Sequence, residues 1–259
     1  LQNNTFSTLF VGQNLIRLSE IDSTNNFLKM MASNSEPLPE GTVIMADKQY
    51  AGRGQQENIW TSEPGKNLTI SIYLEPKFLS VDKQFFLNMA VSNALSSSLK
   101  KLLGDRIKIK WPNDIYYENS KIGGVLIENI VSGDRLKASV VGIGLNVNQK
   151  HFGEALEMKA SSIHRILQRD VDLIKLLGEI CSHIEKEYLL LRTEKNLELK
   201  NVYINNLYRF DQLARYRQNG EVFLGRLIDV SDAGQLILNV NNENFRYNFK
   251  EIEFLMNNN

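Results

Sequence analysis

Residues 107–131 read IKIKWPNDIYYENSKIGGVLIENIV, and the type of fold turns on this stretch. Residues 107–110 alternate apolar and charged side chains, the period-two pattern of a strand. Pro112 has no N–H to give a sheet and Asn113-Asp114 favours turn geometry, so the chain leaves the sheet there. Residues 115–117 and 122–131 resume as strands around a turn at Glu118-Asn119-Ser120, which predicts a hairpin. Gly123-Gly124 interrupts an otherwise ideal strand. Glycines there cost stability and leave a packing gap, so they mark a bulge or a place where a ligand lies on the backbone.

Working outward, residues 24–32 suit a short helix with Ser23 or Asp22 as N-cap. Residues 42–47 read as a strand, followed by a long polar segment over 48–67. Residues 68–74 alternate Leu, Ile, Ile, Leu with Thr, Ser, Tyr. A helix is predicted over 81–103, stopped by Gly104. Residues 136–145 form another strand, ending in Asn146-Val147-Asn148, and two helices follow over 171–192 and 194–206. Beyond 208 the pattern changes to short strands at 221–230, 235–240 and 244–249, a meander that predicts a small β-barrel appended to a larger α/β domain. The expected boundary separates residues 1–207 from 208–259.

The chain has 259 residues, 42% apolar, with 30 basic and 30 acidic side chains and no net formal charge. That length suits one large domain with or without a small one. The balanced charge gives no overall footprint for nucleic acid or an anionic membrane, and neither partner is expected. No apolar run reaches the ~18–20 residues of a bilayer span, and the start lacks a signal-peptide pattern, so a cytoplasmic protein is expected. Cys181, the single cysteine, shares helical spacing with Ile174, Leu177, Ile184 and Tyr188 and reads as core. His151, His164 and His183 lack metal-ligand spacing, which predicts no structural zinc.

Several segments carry chemistry, each with a plain structural explanation beside it. Gly52-Arg53-Gly54-Gln55 offers backbone N–H groups and a guanidinium fork for an anion, and Trp60 a face for a purine. It also reads as a surface loop anchored by its Trp. Lys110-Trp111-Pro112-Asn113-Asp114 delivers a cation, an amide and a carboxylate at a strand end, or makes a rigid turn. Lys121 stands at the mouth of the Gly123-Gly124 gap, or is simply solvated. Gly142-Ile143-Gly144-Leu145-Asn146 could present amides to a ribose or phosphate, or be a tight exit. Ser23-Thr24-Asn25 could hold a polar ring, although helix capping alone explains it.

In order and spacing these segments together resemble the biotin protein ligases, with Ala160-Ser161-Ser162-Ile163 and the C-terminal meander also fitting that layout. The resemblance implies an α+β fold: a mixed, largely antiparallel sheet with flanking helices, a class II synthetase-like catalytic domain, then an SH3-like barrel. It implies ATP-dependent activation of biotin as biotinyl-5′-AMP and transfer to a lysine of a biotin carboxyl carrier protein. Carried over residue by residue, Ser23, Thr24, Asn25 and Gln49 resemble the biotin head-group contacts. Gly52, Arg53, Gly54 and Gln55 form a loop closing over carboxylate and phosphate, and Gly123 and Gly124 make room. Arg53 and Lys121 are the charge-stabilising catalytic pair. Trp60, Lys110, Asn113, Asp114 and Asn146, with Arg53, Gln55 and Lys121, line the nucleotide side. Mg²⁺ bridges the ATP phosphates, with Asp114 as its candidate protein ligand, directly, through water, or only via ATP.

Two departures stand out. Glu57 brings negative charge towards a phosphate site, which implies a loop that holds the adenylate loosely or a side chain turned to solvent. Only 22 residues precede Ser23, too few for the helix-turn-helix module of the repressor forms, so the monofunctional form is expected. Lipoate ligase and a noncatalytic biotin or nucleotide sensor are the competing readings. Exposed strands such as residues 136–145 are expected to pair edge to edge in a homodimer or to receive the carrier.

Overall fold

The computed structural model describes residues 6–34, 37–55 and 58–255. Its larger sheet has seven strands: β1 (Leu15–Ile21), β2 (Val43–Gln49), β3 (Leu68–Leu74), β4 (Ile107–Lys110), β5 (Asp114–Tyr117), β6 (Ser120–Ser132) and β7 (Arg135–Leu145). Their spatial order is β1-β2-β3-β7-β6-β5-β4. β1 and β2 are parallel, joined across helix α1 (Thr24–Ala32), because a parallel pair needs a crossover. The remaining neighbours run antiparallel, so the sheet is mixed and largely antiparallel, as expected.

Helices α2 (Phe85–Leu103), α5 (Leu173–Arg192) and α6 (Asn196–Asn205) cover one face, with the short α3 (Glu154–Glu157) and α4 (Ile163–Leu167) beside them. Gly104, in the left-handed region at φ 78°, ends α2 as its position predicts. The helix begins later than expected, after a 3₁₀ turn over Val81–Lys83. Asp172 caps α5 by accepting from the N–H groups of Ile174 and Lys175 at 2.9 and 3.0 Å. Cys181 lies in the core, where burial pushes its thiol up to about 12. The alternation of β3 is real, but all seven residues are buried. Leu68, Ile70, Ile72 and Leu74 join the helix-side core, while Tyr73 packs with Leu28 of α1 on the other face.

Three expectations need correction. β7 is no exposed strand: β3 and β6 pair along both its edges. Alternation reports which faces are buried and says nothing about who sits beside a strand. β1 escaped the pattern because it is a half-exposed edge strand. The C-terminal strands exceed a three-strand meander. β8 (Leu213–Gln218), β9 (Glu221–Val230), β10 (Leu236–Val240), β11 (Glu243–Tyr247) and β12 (Glu253–Phe254) form a second sheet in the order β11-β10-β9-β8-β12. Its end strands do not pair with each other, so this sheet is not closed. β12 has two residues, both spent on β8.

The turn after β4 joins the two sheets. Trp111 Nε1 donates to the Gly234 carbonyl at 3.0 Å, and its ring meets Phe249 edge-on at 5.9 Å. No described helix is long and apolar enough to cross a membrane.

Candidate active site

A cleft is cut into the sheet face that carries α1. Gly124 sits opposite Gly144 and Leu126 opposite Gly142, with Thr69 and Ser71 beside them on β3. Missing side chains lower this floor. A Cβ on Gly142 would strike the Asn25 amide, and one on Gly144 the Trp60 ring. These β7 glycines therefore let two distant side chains lie against the sheet. Above the floor opens a cavity of about 480 Å³, within the usual range for a small-molecule site.

The cavity's polar end comes from the turn into α1. Ser23, Thr24 and Asn25 are buried and line it together with Gln49 at the end of β2. Ser23 stands at the N-cap but makes no side-chain cap hydrogen bond, so capping does not account for this tripeptide. Instead the side chains are wired to one another. Gln49 Oε1 accepts from the Thr24 N–H at 2.7 Å and lies 3.0 Å from the Thr24 hydroxyl. The Ser71 hydroxyl lies 2.7 Å from that of Thr24 and 2.5 Å from Asn25 Oδ1. Ser71 was legible as the polar side of β3, yet that side faces the cleft and not solvent.

The loop after β2 arches over this end, where Arg53, Gly54, Gln55 and Trp60 line the cavity. Trp60 Nε1 is buried with no hydrogen-bond partner among the described residues, a donor facing whatever fills the space. Gly52 is off the wall, packed where a Cβ would hit the Trp60 carbonyl. Glu57, and the charge expected from it, lies outside the described residues.

At the other end Lys110, Asn113, Asp114, Lys121 and Gly124 line the cavity. Lys121 Nζ meets Asp114 Oδ1 at 2.6 Å over Gly124. Asn113 is spent on structure as well, donating from Nδ2 to the Val125 carbonyl at 2.6 Å. Burial pushes the Lys110 amine below the ordinary lysine range, with nearby Asp114 pulling the other way. Its Nζ lies between the Tyr116 and Phe254 rings, 5.1 and 5.5 Å from their centroids. Phe254 and Glu253 belong to β12 of the second sheet, and the connection from β11 to β12 adds Phe249, Lys250 and Ile252 to this wall. The sequence held no local signal for that closure.

Besides Gly52, two expected site residues fall outside the cavity. Gly123 points to the opposite face, its Cβ position 3.0 Å from Leu145 Cδ1, because neighbours along a strand alternate faces. Asn146 braces the loop behind Lys121, donating to the Ser161 carbonyl at 3.1 Å. Conversely, Glu128 received no role and proves to be a hub. It accepts from Arg53 at 2.6 Å, Lys29 at 2.7 Å and Asn25 at 2.8 Å. Burial alone would raise its pKa, but these donors together hold it below the usual 4.5. The unfolded chain then binds the proton more readily, so the hub's stabilisation is complete above pH 4.5 and fades as pH falls through the lowered native value. Glu128→Gln should flatten the acid limb of a plot of Tm against pH; an unaltered limb would remove Glu128 from the acid response.

With the geometry established, comparison with known proteins is direct. The sequence model of the biotin/lipoate A/B protein ligase family matches residues 18–146, the span holding the cleft glycines and Lys121. The bifunctional ligase/repressor BirA of Bacillus subtilis is 30% identical over 236 residues, 90% of this chain and 72% of that one. A biotin–[acetyl-CoA-carboxylase] ligase of Paracoccus denitrificans is 26% identical, over 85% of this chain and 92% of its own. Among solved structures, a biotin protein ligase from Aquifex aeolicus in complex with biotin and ATP superposes with a TM-score of 0.77. It is 27% identical and the match covers 93% of this chain and 97% of that one. Sequence, fold and cleft agree: the chain belongs to the biotin/lipoate A/B protein ligase family.

Proposed function

We infer that this chain is an ATP-dependent biotin protein ligase. The biotin carboxylate attacks the α-phosphorus of ATP, giving biotinyl-5′-AMP and pyrophosphate. A lysine ε-amine of a biotin carboxyl carrier protein then attacks the mixed anhydride, forming the amide and releasing AMP.

The observation that carries this reading is one cavity with an oxygen-rich pocket at one end and cations at the other. Thr24 and Ser71 have one hydroxyl proton each, while three oxygen–oxygen contacts link Gln49, Thr24, Ser71 and Asn25. The set is short of a proton, which suits a ligand bringing N–H donors, as the ureido ring of biotin does. Arg53, on the loop over the polar end, and Lys121, at the other end, rest on Glu128 and Asp114, each at 2.6 Å. Incoming carboxylate and phosphate oxygens compete for those cations. The reaction asks for orientation and charge stabilisation, and the cavity is lined by neither His nor Cys. Lys121 and Arg53 are the proposed catalytic pair, with Trp60, Lys110, Asn113 and Asp114 on the nucleotide side.

Mg²⁺ fits as a companion of ATP. No three His, Cys, Asp or Glu side chains converge among the described residues, so they offer no cage. Asp114 is the carboxylate placed to add one protein oxygen to phosphates and water, the arrangement Mg²⁺ favours. When bound, the ion would neutralise phosphate charge. Residues 208–259 form the proposed small SH3-like domain, whose Lys250 would add charge on the nucleotide side. A second copy or the carrier would find β1, an end strand with no partner along its outer edge among the described residues, one available strand for edge pairing.

The test is ATP–pyrophosphate exchange with and without biotin, with lipoate as control. Biotin-dependent exchange is expected. Exchange with lipoate alone would move the chain to the sister activity, and biotin binding without exchange would make it a sensor.

A further inference from the structure

Glu128 lies on β6 outside the cavity lining, two residues beyond Leu126, which lines it. Oε2 accepts from both Asn25 Nδ2 and Arg53 Nη2, while Oε1 accepts from Lys29 Nζ. An ionised carboxylate accepts hydrogen bonds and donates none. Asn25 must therefore turn its NH₂ to Glu128 at 2.8 Å, with a longer bond to the Leu126 carbonyl at 3.3 Å, and this aims its own carbonyl oxygen at the Ser71 hydroxyl, 2.5 Å away. The Ser71 proton is then committed to Asn25, and the Thr24 proton can serve either Ser71 or Gln49 but not both. The charge outside the pocket, through the shorter of the two bonds to the Asn25 amide, thus governs which oxygens inside it lack a proton. Lys29 and Arg53 keep that charge ionised, and the Gly142 floor denies Asn25 any retreat.

We propose that Glu128 is a positioning residue that fixes the amide orientation of Asn25, and so makes the polar end of the cavity an acceptor array selective for a ligand bearing N–H donors. The proposal rests on the biotin-ligase reading and deepens it. Glu128 touches no reacting atom. In Glu128→Gln the side-chain amide can offer a donor to Asn25, only the 3.3 Å bond to the Leu126 carbonyl still favours the native orientation, and the acceptor array is weakened.

Biotin titration calorimetry without ATP tests this on the whole chain, with Glu128→Gln, Asn25→Ala and the double variant. Glu128→Gln should weaken biotin binding by about tenfold or more, the range for losing a hydrogen bond to a charged group. KM for ATP in the exchange assay should change by a smaller factor than biotin affinity, because Asn25 serves the biotin end alone, whereas Arg53 loses its Glu128 partner but keeps its charge. Asn25→Ala and the double variant should bind biotin within about threefold of each other. Equal weakening of biotin and ATP would mark a merely structural role and overturn the proposal, as would costs that multiply in the double variant. Should Glu128→Gln fail to fold, Asn25→Asp sets a second carboxylate against Glu128; wild-type biotin affinity in that variant overturns the proposal too. A wild-type chain that does not bind biotin overturns the ligase reading along with this one. Wild-type binding matched by Glu128→Gln overturns this one alone.

Discussion

Lys121→Ala is expected to slow biotin-dependent ATP–pyrophosphate exchange by on the order of 10²–10³, the usual cost of removing one preorganised charge stabiliser from a reacting centre. The lysine is well placed for that loss. Gly124 beneath it leaves the amine free to cross the cleft, and Asp114 holds Nζ 2.6 Å away until a stronger anion arrives. The side chain is about one-third exposed, so its ion pair contributes little to folding, and Tm should barely move. Lys121→Arg should not restore the rate, since a planar fork cannot reproduce a compact ammonium above a glycine. Turnover near that of the unaltered chain would place the reacting centre elsewhere.

Gly142→Ala should have the next largest effect, and on a different quantity. A methyl group there meets all three polar-end atoms of Asn25, with Cγ at 2.9 Å and Nδ2 at 3.0 Å. Asn25 is buried and tied to Glu128 and Ser71, so it cannot yield without breaking one of them. Overpacking of this kind costs about 1–3 kcal/mol of folding stability, and displacement of Asn25 from the polar end should lower biotin affinity by about tenfold. KM for ATP should change much less. Gly144→Ala makes the informative contrast, because its methyl group strikes the Trp60 ring and should disturb the adenylating loop and nucleotide side instead. Calorimetric titration of both variants with biotin resolves the two. Unchanged affinity in Gly142→Ala would show that Asn25 does not contact biotin.

Much of this was legible along the chain. The hairpin of β5 and β6, the Gly104 stop and the core position of Cys181 follow from alternation, turn chemistry and helical spacing. Each depends on residues within a few positions of one another. Most of the polar site residues also fell where expected, since Thr24, Gln49, Arg53, Asp114 and Lys121 all line one cavity. Gly123 and Gly124 looked alike in the sequence, yet one faces the cleft and the other the helices. Pleat parity decides which, and parity depends on a register set by β7.

The amino-acid sequence established the element types, because periodicity and turn preference are local steric effects, and the resemblance of its motifs pointed to the family. Packing alone revealed that β7 is interior, that its glycines carry Asn25 and Trp60, that Glu128 wires the polar end, and that the second sheet walls the nucleotide side. Those facts join residues some 20 to 140 positions apart. Such contacts form only when register and long-range burial are satisfied together, and no single window of sequence contains both partners.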